Sequence, residues 1–378
     1  MCIKKRMLNF SCDVIALVTI FVGITCLWIK LQSLSVLKPE ALDVLAAKLV
    51  FSRGNLDLPK IFEIKDCETE YPKTKIDPNL SENDSNIGSN NSIQKSDSLI
   101  LPEFKELPEE SHPADEKTYK IIESHISTGG TKCENFYVKN STGQEINFSE
   151  YLSKNPEINI KKTNEPQVLI LHTHTSESYM THDKDFFYES FYPRSLNNSE
   201  NITEVGKVIT ETLIKNGINT IHSTVYHDNP SYNGSYSRAA QTIKQNLEQY
   251  PSIQVVIDIH RDSLGLKESG KIKPVFTYQG KKASQLMIIS GCDPEETLGF
   301  PNWRKNLSLA LRLQKYCESM FPGITRPLNF AKVKYNEHLT PGSLLIEIGS
   351  EVNTLQESVY TGAMLGEALS KLLNDLIK

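Results

Sequence analysis

The chain has 378 residues, 39% hydrophobic and 23% charged, enough apolar material for one or two folded domains and too much for a wholly disordered protein. A formal net charge of −5 gives no general attraction for polyanions, and without an arginine-rich helix or zinc-finger spacing nucleic acid is excluded as a partner. Of seven cysteines, Cys2, Cys12 and Cys26 lie in the N-terminal segment and the other four are widely spaced with no CxxC pair, so a disulfide framework is excluded as well.

Lys4, Lys5 and Arg6 precede an apolar run over residues 14–29 that Lys30 closes. This asymmetry predicts an uncleaved single-pass membrane anchor within residues 1–31, basic end in the cytoplasm and the remainder outside, with a cleaved signal sequence as the alternative. Leu42, Val44, Leu45, Leu49 and Val50 space out a short amphipathic helix near the membrane. From about residue 66 to 111 the sequence turns to Asn, Ser, Asp, Glu, Lys and Pro, which cannot bury enough apolar area to offset the entropy of ordering. Residues 32–130 are therefore expected to be a juxtamembrane helix and flexible tether. Residues 131–162 form a lead-in, with two short strands around a turn at residues 140–143.

The folded domain is expected over residues 163–378. Residues 168–171 are four consecutive apolar residues, a buried strand, and it ends in His172, Thr173, His174, Thr175, Ser176 and Glu177. A helix follows over residues 204–217, with Thr203 as its cap and Gly217 as its stop. Then come a strand at 218–222, a helix at 238–250 and a second β-branched strand at 255–262. Strands at 271–278 and 285–291, a helix at 302–320, a buried strand at 343–348 and a helix at 358–378 complete an α/β domain with a mostly parallel sheet flanked by helices.

In such sheets ligands bind beyond the carboxyl ends of the strands. Both His-bearing strands end there. Side chains alternate, so Asp258, His260 and Asp262 share one face and Arg261 the other, and the same count puts His172 and His174 together. Glu347 stands in a buried strand where an ionised side chain requires a partner, a metal site or water. Glu204 lies in the first turn of its helix, near the same edge. Two histidines and a glutamate are a catalytic zinc set that leaves a position for water, and a further carboxylate beside that water, a role that suits Glu347, can move its proton. His182, His222, His227 and His338 read as packing or surface residues. Cys292 is the one thiol placed as a nucleophile, with no base evident, and no GxSxG elbow supports a serine hydrolase.

The stretches LHTHTSESY, TEVGKVI, YNGSYSRAAQTI, VVIDIHRDS, NWRKNLSLALRLQ and LTPGSLLIEIGSEVNTLQES, in this order, resemble the stage II sporulation protein P family from about Pro166 to the C-terminus. The resemblance implies a membrane-anchored protein acting on the cell wall during forespore engulfment, related to the zinc-dependent N-acetylmuramoyl-L-alanine amidases with their α/β fold. It implies zinc held by His174, Glu204 and His260, with Glu347 as catalytic base. His172 stays open as the rival of His174, and Glu177 as the rival of Glu204, because the gap between the first histidine and Glu204 is wider than the amidase arrangement. Arg238 and Arg261 fall within the motifs and can grip a peptide carboxylate or orient an acid. The implied substrate is peptidoglycan, cleaved at the muramoyl-alanine amide and also at peptide cross-links, with stage II sporulation proteins D and M as partners. The alternatives are another extracytoplasmic zinc peptidase or amidohydrolase, and a wall-binding scaffold without turnover.

Overall fold

The computed structural model describes residues 99–377 apart from 106 and 110. The anchor expected in residues 1–31 lies outside them, as does most of the tether; among the described residues no helix is long and apolar enough to cross a membrane. In chain order the elements are β1 (Thr118–Ser124), β2 (Thr131–Cys133), β3 (Phe136–Asn140), α1 (Phe148–Ser153), β4 (Val168–Leu171), β5 (Phe186–Tyr188), α2 (Ile202–Lys215), β6 (Thr220–His222) and α3 (Ser235–Gln249). They continue with β7 (Val255–Asp262), β8 (Gly265–Leu266), β9 (Gly270–Tyr278), β10 (Lys281–Ser284), β11 (Leu286–Gly291), α4 (Trp303–Met320), β12 (Leu328–Ala331), a 3-10 turn (Glu337–Leu339), β13 (Ser343–Ser350) and α5 (Leu355–Asp375).

Eight strands form the main sheet in the order β2-β3-β12-β11-β13-β7-β4-β6. The half that carries the histidines, β13-β7-β4-β6, is wholly parallel. β11 runs antiparallel to β13, and β2 to β3, so the sheet is mixed. Strand alternation then fixes the layers. Val168 and Ile170 of β4 and Val255, Ile257 and Ile259 of β7 enter a large core with Val205, Ile209 and Leu213 of α2 and with the apolar faces of α4 and α5. Leu169, Leu171 and Val256 point the other way, into a smaller core under Ala239 and Ile243 of α3. Each fully buried Leu, Ile or Val contributes about 1.5–3 kcal/mol over its exposed state, so this two-sided burial holds the parallel strands in register. Since Val256 faces α3, Asp258 and His260 continue that face towards the carboxyl end of β7.

Three expectations are revised. The chain before residue 131 is not all tether: β1 pairs in parallel with β9 and antiparallel with β5, within a second sheet ordered β10-β9-β1-β5. Nor is residue 163 a boundary, because β3 pairs with β12 inside the main sheet. The early hairpin joins β2 to β3, its turn containing Glu134 at φ 48°, while Asn140 ends β3 and its Oδ1 accepts from the Thr142 N–H at 3.0 Å. The second sheet is tied to α5 by Lys273, fully buried yet paired with Asp183 and, at 2.9 Å, with Glu357, as a buried ammonium must be.

α2 begins two residues before its expected start. Asn201, not Thr203, caps it, accepting from the Thr203 N–H at 2.9 Å. Gly206 lets this helix approach the sheet: a Cβ there would lie 2.6 Å from Nε2 of both His172 and His222. Gly206→Ala is therefore expected to lower the stability of the full chain by about 1–3 kcal/mol, the usual cost of overpacking, read as a lower denaturant midpoint at unchanged slope.

Candidate active site

β4 stops at Leu171, and the chain folds over the strand ends as a loop pinned by Asp258. One carboxylate oxygen of Asp258 accepts from the Thr173 N–H at 2.8 Å and the other from the Thr173 hydroxyl at 2.6 Å. The loop splits the two histidines. His172 keeps the strand's alternation and lies under α2, its Nδ1 2.9 Å from the Ile259 carbonyl and its Nε2 2.9 Å from Nε2 of His222. Burial, together with the facing imidazole, pushes His172 down to about 3, and burial pushes His222 down to about 4, so both are neutral partners. His174 has left the strand and crosses to the α3 side, where its ring stands perpendicular to that of His260 with centroids 5.2 Å apart. The expectation that His172 and His174 lie together fails because the chain leaves the strand's alternation after His172.

Three carboxylates surround His260. Asp258 Oδ1 is 3.0 Å from Nε2, though out of line for a hydrogen bond, and Glu177 Oε2 is 3.7 Å from Nδ1. Glu347 is the register partner of His260 on the neighbouring parallel strand. Burial opposes the charged imidazole, but Asp258, Glu177 and Glu347 outweigh it and lift His260 up to about 10. Glu347 is partly exposed, yet its Oε2 is sealed from solvent and has no hydrogen-bond partner among the described residues. Burial raises its carboxyl to about 8, with Asp262 and Glu177 adding to the rise and His260 and Arg326 opposing it. A break in register follows, between Glu347 and Ser350, with Gly349 at φ 67°; a Cβ there would meet Asn353 Oδ1 at 2.9 Å. The bulge ends the regular strand just beyond the carboxylate.

The structure therefore gathers His174, Glu177, His260 and Glu347. It gives Glu204 a different partner, Lys207 at 3.0 Å in the same helix turn. The two arginines hold backbone. Arg261 donates to the carbonyls of Ser178 and Pro193, both at 3.0 Å, and Arg238 donates to the carbonyl of His227 at 2.6 Å and to that of Ser231. His227 is a packing residue, bridging the His172 carbonyl at 2.7 Å and the Thr242 hydroxyl at 2.9 Å. Burial pushes the Cys292 thiol up to about 12, which removes it as a nucleophile.

Sequence reasoning missed the aromatic wall. Tyr232 stacks on His174 with centroids 4.4 Å apart and planes within 9°. Tyr236 meets His174 edge-on at 5.6 Å and lies parallel to His260 at 6.3 Å, and Tyr335 stacks on Tyr236 at 5.3 Å. The signal was present in YNGSYSRAAQTI: Tyr232 lies just before α3 and Tyr236 in its first turn, at the end of the helix that reaches the strand tips.

A divalent ion is the cofactor these residue types imply. Among the described residues no three His, Cys, Asp or Glu side chains are already arranged as a metal-holding group. The donor chemistry nevertheless fits. His174 Nδ1 and Glu347 Oε2 are buried with no hydrogen-bond partner among the described residues, and His260 Nδ1 faces a carboxylate from beyond hydrogen-bond distance. Asp258 beside Nε2 is the outer carboxylate that a metal-binding histidine uses to fix its ring.

Fold and site together define an α/β protein with a histidine-carboxylate centre at the carboxyl edge of parallel strands. The family model described as stage II sporulation protein P matches residues 70–370. The chain belongs to the stage II sporulation protein P family. The stage II sporulation protein P of Bacillus subtilis (strain 168) is 27% identical over 223 residues, 56% of this chain and 52% of the relative, so the match spans about half the length of that relative. Among solved structures, an N-acetylmuramoyl-L-alanine amidase of Nostoc punctiforme is 12% identical over 55% of this chain and 96% of its own, with a TM-score of 0.30. One from Clostridium difficile 630 is 15% identical over 56% of this chain and 97% of its own, with a TM-score of 0.32.

Proposed function

We propose that the chain is a membrane-tethered, zinc-dependent peptidoglycan hydrolase of forespore engulfment that cleaves the amide between N-acetylmuramic acid and the first alanine of the stem peptide. The observation that carries this reading is the meeting of His174, His260, Glu177 and Glu347 at one strand edge, with buried donor atoms left unmet, in a member of this family. His174 and His260 are the imidazole ligands. Glu177 supplies the carboxylate in place of Glu204, whose side chain is engaged with Lys207. When bound, zinc polarises the attacked carbonyl and acidifies water. To act as a ligand His260 would give up the proton that Asp258, Glu177 and Glu347 otherwise hold on it.

The chain's own groups do the rest. Glu347 takes a proton from the attacking water at Oε2 and returns it to the departing amide nitrogen; its raised pKa suits both directions near neutral pH. Asp258 sets its charge beside the His260 ring and, through its bonds to Thr173, holds the loop that carries His174. Tyr232 and Tyr236 wall off His174 from water on the α3 side. The family resemblance extends the proposal to an anchor in residues 1–31, an extracytoplasmic catalytic domain and stage II sporulation proteins D and M as partners. The full chain is expected to release stem peptides from peptidoglycan, to stop on chelation and to resume with zinc, with product mass separating amidase from endopeptidase cleavage. Cleavage that survives chelation contradicts the metal reading.

A further inference from the structure

Beside the His174 ring lies a recess of about 340 Å3, lined by Ser176, Tyr192, Arg194, Leu196, Asp228 and Tyr232. It shares Tyr232 with the proposed catalytic centre, since that ring stacks on His174 at 4.4 Å, and shares Ser176 with the strand-tip loop. Its polar floor is built. The Asp228 side chain is fully buried and accepts from the Ser176 hydroxyl at 2.6 Å, the Ser176 N–H at 3.2 Å and Arg194 Nη1 at 2.8 Å. Its charge is thus shared among three donors, and Arg194 is held in one orientation. Arg194 Nη1 also donates to the Ser176 hydroxyl at 3.0 Å, and its guanidinium carbon lies 5.2 Å from the Tyr232 centroid. Among the described residues every side-chain hydrogen bond of Arg194 uses Nη1. Nε and Nη2, the side edge of the guanidinium, are left for a ligand.

We propose that this recess is the subsite that holds a free carboxylate of the substrate's stem peptide, gripped by the Nε and Nη2 edge of Arg194, which the buried Asp228 orients. Two parallel N–H donors on one planar edge match the two oxygens of a carboxylate, a pairing that a lysine cannot make. The rest of the lining suits a peptide. Tyr192 is 74% exposed and Leu196 60% exposed, apolar surface that serves no core and can cover the chain on either side of the gripped group. Because the recess adjoins His174, the anchored carboxylate sets which amide lies over the catalytic centre. The inference rests on the hydrolase reading above and names the part of the substrate that this reading leaves unassigned.

The test uses the full chain carrying Glu347→Gln, which binds without cleaving, titrated with two stem peptides that differ only in amidation of the free side carboxylate. The free acid is expected to bind at least about tenfold tighter, the scale of one charge-assisted hydrogen bond. Adding Arg194→Gln is expected to erase the difference, and Arg194→Lys to restore only part of it. In the cleaving protein, Arg194→Gln is expected to raise KM for the free-acid substrate with kcat little changed. Equal affinity for the two peptides, absent binding included, overturns the inference, as does a preference that persists in Arg194→Gln. Failure of the hydrolase reading shows separately, as wild-type protein that leaves peptidoglycan intact whatever the peptide titration gives.

Discussion

Glu347→Gln is expected to lower peptidoglycan cleavage by a factor on the order of 10²–10⁴, the usual contribution of a positioned general base, with zinc content and fold unchanged. The substitution is nearly isosteric and removes only the ability to take up a proton. Oε2 has no hydrogen-bond partner among the described residues, so no bond is lost with the charge. Burial and the neighbouring Asp262 and Glu177 already disfavour the ionised form, so a neutral amide at this position leaves stability equal or higher. That sign separates the functional role from a structural one: a carboxylate that holds the fold costs stability when neutralised, whereas this one does not. Product quantified by mass after digestion with equal amounts of zinc-loaded wild type and variant gives the factor, and thermal unfolding gives the stability. A variant that cleaves within a few-fold of wild type removes Glu347 from the chemistry.

Why Glu347 and His260 could be singled out from sequence, and other residues could not, has a physical explanation. Strands buried on both faces read as unbroken apolar runs, as Val168 to Leu171 and Val255 to Ile257 do, so β4 and β7 were legible, and with them the edge where polar residues begin. A charge inside such a run, as in β13, marks itself because burial demands a reason. Choosing between His172 and His174 depended on where β4 stops. That is set by Asp258 on another strand, through its bonds to Thr173, and no local pattern carries it. β1 was lost for a similar cause. Of its seven residues only Ile121 is buried, and the strand is specified by its pairing with β9, remote in sequence. The aromatic wall escaped notice because Tyr232 and Tyr236 at helical spacing read as ordinary amphipathic surface until α3 is placed against the strand tips.

The choice between two glutamates gives the second large effect. Glu177→Gln in the full chain is expected to weaken zinc binding by more than about 10–100-fold, the range that removal of an outer partner alone produces, and to abolish cleavage with it. Glu204→Gln is expected to keep both. Glu177 is buried at the strand-tip loop, its Oε2 accepting from the Arg261 N–H at 3.2 Å and lying 3.7 Å from His260 Nδ1. That backbone bond keeps the carboxylate turned towards the imidazole. Glu204 is partly exposed and paired with an exposed lysine, a contact worth about 0.2–1 kcal/mol, so its loss barely registers in either metal content or stability. The histidines divide in the same way. His174→Ala is expected to empty the metal site with little loss of fold, whereas His172→Ala breaks a buried pair, leaving His222 and the Ile259 carbonyl without their partner, and shows as lost stability. Metal content per chain, measured on the four purified variants beside their unfolding midpoints, separates these roles. Zinc retained by Glu177→Gln and lost from Glu204→Gln would return the third ligand to the helix and require α2 to shift towards the strand ends when the metal binds.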